Sequence, residues 1–227
     1  MAESMSEVAG VSGVDRGVSV VSLRYDFSED NFIGLTNQYG WDMMNTFYVE
    51  SEHLSEISDR WTARIGAQFI DQRSVGRDLL GEFETQSVGA KASIQYCNLV
   101  ASLSYTWTAS GAGIFKPWGG TPAYNSSIIE DFDRAGEQSF RIGATYDFSA
   151  HGLDGVSMDA GWITGDTPDS GSHASPDQTE FDCTINYQPP AAIFEGMLFR
   201  MRYANSRMDD DSRIEDFRMD LNYSYTF

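Results

Sequence analysis

Seven basic residues, Arg24, Arg64, Lys91, Arg141, Arg200, Arg202 and Arg218, recur at positions where the residues two before or after are also polar. Asp26, Glu50, Asp147, Asp159, Asp182 and Asp220 share that parity. Guanidinium, ammonium and carboxylate groups repeated along one face bind, steer and pass ions; rings of such side chains are the usual selectivity device of a pore. If neighbouring strands bring Arg141, Arg200, Arg202 and Arg218 onto one wall, they form a track for anions or for the carboxylate end of a zwitterion. The acidic residues would hold an ammonium group or a cation. Alternatively the charges pair with each other and stiffen the wall, Arg218 with Asp220 or Arg141 with Asp147. Signals for bond-making chemistry are weak. His53, His151 and His173 lie in or beside turns with no nucleophile at a characteristic spacing, and no GxSxG, HExxH or glycine-rich phosphate motif occurs. No enzyme and no cofactor are expected. Three consecutive aspartates in residues 207–213 could bind Ca²⁺, but they read more simply as a solvated turn, and no metal centre is predicted.

The elements that must position these charges are strands. The closing stretch DFRMDLNYSYTF sets Phe217, Met219, Leu221, Tyr223, Tyr225 and Phe227 on one parity and Arg218, Asp220, Asn222, Ser224 and Thr226 on the other. A period of two is that of a β-strand with one apolar and one wet face. It recurs in RWTARIGAQF, SVGAKASIQY, NLVASLSYTW and SFRIGATYDF, in the segments around Leu23, Leu35, Val49, Met158, Cys183 and Met201, and in the terminal one. That predicts about 11 antiparallel strands of roughly 8 to 12 residues, close to the length a tilted strand needs to cross a bilayer. Charge is absent from the apolar parity between the strand ends, and aromatics such as Tyr25, Phe27, Tyr96, Trp107, Tyr146 and Tyr187 collect at those ends, as an interfacial girdle requires. The expected fold is an all-β transmembrane barrel in one domain over residues 1–227; the competing fold is a β-sandwich with an aromatic core.

Bulk properties agree with a barrel without requiring one. The 227 residues carry 15 Lys+Arg against 34 Asp+Glu, a net charge of −19, which argues against a nucleic-acid partner. Hydrophobic content is 41% and mean hydropathy −0.36. No apolar run approaches the roughly 18 residues of a membrane helix, a test that membrane barrels escape by alternation. Cys97 and Cys183 are too few for a disulfide scaffold and read as free thiols. The first residues show no secretory signal, so a mature or cut chain is expected.

Connections alternate in length. Those near residues 72–81, 109–137, 165–178 and 206–213 are long and polar, while those near Cys97, His151 and Pro189 are short. Bacterial outer-membrane barrels have short periplasmic turns and long outer loops, which puts Phe227 at the periplasmic rim. The loop of residues 110–138 carries Phe115, Trp118 and Tyr124, which should not all face water. It is read either as a constriction folded inward or as an outer loop packed on its neighbours.

Three stretches, GVSVVSLRYDFSEDN, FKPWGGTPAYNSSIIEDFDRAGEQSFRIGATYDFSAHGLDGVSMDAGWITGD and FRMDLNYSYTF, carry a family likeness. There the chain resembles OprD-type outer-membrane porins, the porin D group, and it is similar to their carboxyl-terminal half. The resemblance implies a barrel of about 18 strands, with about seven lying outside this chain. It also implies a basic ladder, to which Arg141, Arg200, Arg202 and Arg218 would belong, and passive diffusion of small polar or charged solutes such as amino acids or organic acids. The expected surroundings are the bilayer and lipopolysaccharide of a bacterial outer membrane, with the Phe227 strand as the contact for the barrel-assembly machinery. A complete channel of about 12 strands and a plugged structural barrel or adhesin are the alternatives.

Overall fold

A computed structural model describes residues 4–119, 123–190 and 192–224. Tyr225 and Phe227, read above as rim residues, and loop residues 120–122 lie outside the described residues. Eleven strands follow one another: β1 Val18–Ser28, β2 Asn31–Gly40, β3 Met44–Ser58, β4 Trp61–Ser74, β5 Glu84–Tyr96, β6 Leu99–Thr108, β7 Gln138–Asp147, β8 Val156–Asp166, β9 Gln178–Tyr187, β10 Met197–Met208 and β11 Arg213–Tyr223. Each pairs antiparallel with its sequence neighbours, giving a single sheet in the order β1 to β11. Among the described residues β1 and β11 are its two edges. A short helix, α1 Met5–Val8, precedes the sheet and is closed by a capping box of Ser4 and Glu7. No described helix is long and apolar enough to cross a membrane.

Strand boundaries follow the alternation to within a few residues, and the segment around Val49 is the longest strand. β3 runs 15 residues, because its polar face carries Tyr48, Glu50 and Glu52 while Phe47 and Val49 hold the other parity. Trp41, whose odd number continues the apolar parity of Ile33, Leu35 and Tyr39, falls outside β2 and starts the 41–43 turn, where Asp42 has a left-handed φ of 60°. The link after β4 spans 75–83 rather than 72–81, because Gln72 is recruited to the sheet by the long loop. The long connection keeps its expected bounds of 109–137, whereas the one expected over 206–213 shortens to 209–212 because β10 runs on to Met208, and the one expected to be short near Pro189 spans 188–196. Cys97 and Cys183 are free.

The sheet inverts the burial pattern of a water-soluble domain. On its apolar face Leu23, Ile65, Ile94, Leu103, Ile142 and Leu221 are exposed. On the other face Gln72, Glu180, Thr85 and Gln178 are almost completely covered, as are Asn125 and Glu137 of the loop between β6 and β7. The small apolar cluster of Tyr48, Ile70 and Ile114 joins that face to the long loop. An apolar surface this extensive is stable only against lipid or another apolar surface. Charges appear on the apolar face only at the loop ends of strands, where Asp71 pairs with Arg73 and Asn205 donates to Glu215.

Candidate functional site

Strand register assembles the predicted charges into rows across the polar face. One row reads Glu52, Gly66, Lys91, Ser104, Arg141, Ile163, Glu180 and Ser206. Two residues further along the strands, Arg64 shares a row with Gly143, Gly161 and Asp182. The next row brings Asp159, Thr184, Arg202 and Arg218 together, and the one after it Asn186, Arg200 and Asp220.

The pairings within these rows differ from those read off the sequence. Arg141 bonds Asp182 across β8, at 3.3 and 3.4 Å, and not Asp147. Asp147 lies six residues along the same strand, beyond reach, and caps the following turn by accepting from the Ser149 amide at 2.8 Å. Arg218 pairs with Asp216, its same-face neighbour on β11, while Asp220 takes Arg202 at 2.7 Å. Arg202 and Arg218 stand directly opposite each other, so the two carboxylates separate two like charges. Arg200 donates to the Asn186 amide oxygen at 2.8 Å, and Asp159 accepts from the Thr145 hydroxyl at 2.6 Å. Arg64 pairs with Glu52 at 3.0 Å. Arg24 pairs with Asp26 and lies over the Phe32 ring, 3.7 Å from its centre.

The described residues of the 109–137 loop lie on this polar face, held almost wholly by polar groups. The Gln72 amide grips the Phe115 backbone at both N–H and C=O, at 2.7 and 2.8 Å. Asn125 accepts from Ser104 at 2.6 Å and donates to Ser139 at 2.9 Å. Glu180, 0% exposed, accepts the successive backbone N–H groups of Ile128, Ile129 and Glu130 at 3.1, 3.0 and 2.8 Å. Glu137, equally enclosed, accepts from Arg134 and Gln178. Three aromatics of the loop sit over glycines of the wall: Trp118 on Gly40, Tyr124 on Gly66 and Phe132 on Gly165. A side chain at Gly66 would start 2.6 Å from the Tyr124 hydroxyl, so the absence of one lets the ring approach the strand.

Of the three loop aromatics named from the sequence, Trp118 and Tyr124 are half-buried and Phe115 is exposed, since its backbone rather than its ring is the anchor. Tyr124 faces a cleft of about 300 Å³ together with Glu52, Arg64, Lys91, Ser102 and Thr145. The Lys91 ammonium is 6.0 Å from its ring centre. Burial pushes the Tyr124 hydroxyl up to about 12, reinforced by Glu50 and Glu52. Sequence reasoning missed Glu180, Gln72, Asn125, Glu137 and Phe132. The legible signal was the run of glycines on the polar parity, Gly66, Gly143, Gly161 and Gly165, where a strand without side chains leaves room for something to lie against it. Outside the sheet, Asp42 is clasped by Arg16 at 2.7 Å and Arg77 at 3.2 Å, and the Arg16 guanidinium holds its carboxyl below the usual range.

Loop docking carries its own pH dependence. Burial raises the Asp133 carboxyl to about 6, outweighing the ion pair with Lys116, and raises Glu130 as well. A carboxyl that binds its proton more tightly when docked than when free takes up a proton on docking. The stabilisation is complete below the free value near 4 and is lost as pH rises through about 6. Protease resistance of the 109–137 loop is expected to rise between pH 7 and pH 5, and Asp133→Asn should flatten that rise; a flat profile in the unaltered protein would contradict it.

Comparison with known proteins returns the same antiparallel all-β fold. No curated protein matches the chain. Among solved structures it is similar to OccK9 (OpdG) of Pseudomonas aeruginosa, with a TM-score of 0.85 and 22% identity over 94% of this chain and 56% of that one. It is similar to a BenF-like porin from Pseudomonas fluorescens Pf-5, with a TM-score of 0.84 and 17% identity over 94% and 57%. It also resembles OpdK of P. aeruginosa with vanillate, with a TM-score of 0.83 and 19% identity over 91% and 55%. The chain thus spans a little over half the length of these structures, as a partial barrel does. At such identities the likeness establishes the fold, and the family is established by the sequence profile described as outer membrane porin, OprD family, which matches residues 2–227. Porins are channels rather than enzymes, and this chain belongs to the OprD family of outer membrane porins.

Proposed function

We propose that this chain forms part of the wall and the constriction of an outer-membrane channel for passive diffusion of small polar or charged solutes. The observation that carries the reading is the 109–137 loop bonded along the charged face through Gln72, Asn125 and Glu180. In a closed barrel that face lines the lumen, and the loop narrows it without filling it. Solutes would pass between the guanidinium groups of Arg141, Arg200, Arg202 and Arg218 and the carboxylates of β3, Glu50 and Glu52. Lys91, Arg64 and Tyr124 would meet them at the cleft they line. Arg24, Asp159, Asp182 and Asp220 would line the rest of the wall.

Ion pairs on the wall keep most arginines folded back, so the lumen presents a moderate field rather than a fixed trap. That suits conduction, which needs binding strong enough for entry and weak enough for exit. Vanillate, held by OpdK, is an aromatic carboxylate, and small organic acids are the solute class this wall suits. The apolar face would meet lipid and, in the outer leaflet, lipopolysaccharide, and the terminal Phe227 strand would engage the assembly machinery.

Planar-bilayer recording of the full-length protein tests the reading. Discrete ohmic steps are expected, with small carboxylates lowering the current as they dwell. A protein that inserts into the bilayer and produces no steps would instead be a plugged structural barrel.

A further inference from the structure

Arg141 is the arginine whose position depends on a missing side chain. It is flanked in its row by Ser104 and Ile163, but its guanidinium turns along the strand and lies over Gly161 of β8 to reach Asp182 of β9. A Cβ at Gly161 would stand 2.7 Å from Arg141 Nη2, 3.1 Å from its Nε and 2.9 Å from Asp182 Oδ1. Real Cβ atoms do not approach other atoms so closely, so any other residue there displaces the pair. The pair is also slack. Its contacts of 3.3 and 3.4 Å exceed the roughly 2.7–2.9 Å of a well-formed charge-assisted bond. Asp182 is meanwhile shared, because its Oδ2 accepts the hydroxyl of Ser127 from the long loop. The neighbouring Gly143 adds room beneath the same guanidinium, with Arg141 Nε 3.8 Å from its would-be Cβ.

We propose that Gly161 is a specificity-determining residue: by lacking a side chain it lets Arg141 fold back onto Asp182, so that Arg141 is a releasable contact for anions and not a standing one. The inference rests on the channel reading above and concerns how strongly that channel selects for charge. Folded back, Arg141 is neutralised and leaves the path open. An anion able to make a two-pronged bond to the guanidinium competes with the slack contact to Asp182, while Ser127 continues to satisfy the carboxylate on its other side.

Gly161→Ala tests this without altering any formal charge. The atoms the new methyl meets are the mobile ends of two side chains, so the strand need not move. Arg141 should swing off the wall, and the anion-to-cation permeability ratio, read from reversal potentials under a salt gradient, should rise about twofold. Asp182→Asn should shift it in the same direction, and serves if the alanine variant does not assemble. In an Arg141→Ala background, Gly161→Ala should change nothing, which a merely structural effect on the barrel would not predict. A wild-type ratio in Gly161→Ala, or a shift that persists without Arg141, overturns the inference while leaving the channel intact. A wild-type protein that conducts nothing overturns the channel reading and the inference with it.

Discussion

Replacing Glu180 with alanine is expected to release the 109–137 loop from the wall while leaving the sheet in place. One enclosed carboxylate accepts three consecutive backbone amides, of Ile128, Ile129 and Glu130. Hydrogen bonds to a charged group are worth about 1.5–3 kcal/mol each and are not additive. Losing all three should weaken docking by about 3 kcal/mol or more, a change of at least 100-fold in the undocked fraction. Glutamine should fail as well, since its amide offers a single acceptor oxygen and sets an NH₂ group against the donating N–H of Glu130. The measurement is amide hydrogen exchange at residues 128–130 and limited proteolysis within the loop, with heat-modifiable migration on gels reporting the barrel. Unchanged protection in Glu180→Ala would show that Asn125, Gln72 and Glu137 hold the loop without it. Where the loop narrows a lumen, the same variant should conduct more and fluctuate more.

The second large effect lies on the opposite face. Ile142 is at the centre of β7, 52% exposed, between Leu103 and Trp162 in register. Ile142→Arg would place a charge against hydrocarbon near mid-depth, at a cost of about 2–4 kcal/mol. Urea titration of the protein folded into lipid vesicles measures this directly. As a control, Ser93→Arg puts the same side chain on the polar face between Thr-, Ser- and Arg-bearing strands, beside Arg64 and Ser102, and should cost much less. Equal costs at the two positions would mean that both faces meet the same medium, which would contradict the lipid-facing assignment of Leu23, Ile65 and Leu221.

The Arg141→Asp182 contact shows how readable the wall was and where reading stopped. That Arg141, Arg200, Arg202 and Arg218 share one face follows from parity, because successive strand side chains point to opposite sides whatever the rest of the chain does. Which carboxylate each arginine takes follows from register, and register depends on where each turn closes. Asp182 is 41 residues from Arg141 and becomes its neighbour only because Gly143, Gly161 and Asp182 fall in one row. The same holds for Ser127, whose approach to Asp182 depends on the path of a loop with no periodicity.

By itself the sequence determined the strands and their two faces, because both are local consequences of period-two patterning, but not every link length: the connection read as long at 206–213 is only residues 209–212, and the one read as short near Pro189 spans 188–196. The tertiary structure alone decided the direction of the 109–137 loop and the roles of Glu180, Gln72, Asn125 and the glycine seats. Those residues act through partners 14 to 50 residues away. A glutamate on a polar parity looks the same in sequence whether it faces electrolyte or lies sealed beneath three backbone amides. Only packing separates the two, and packing is a property of the whole sheet and not of any one strand.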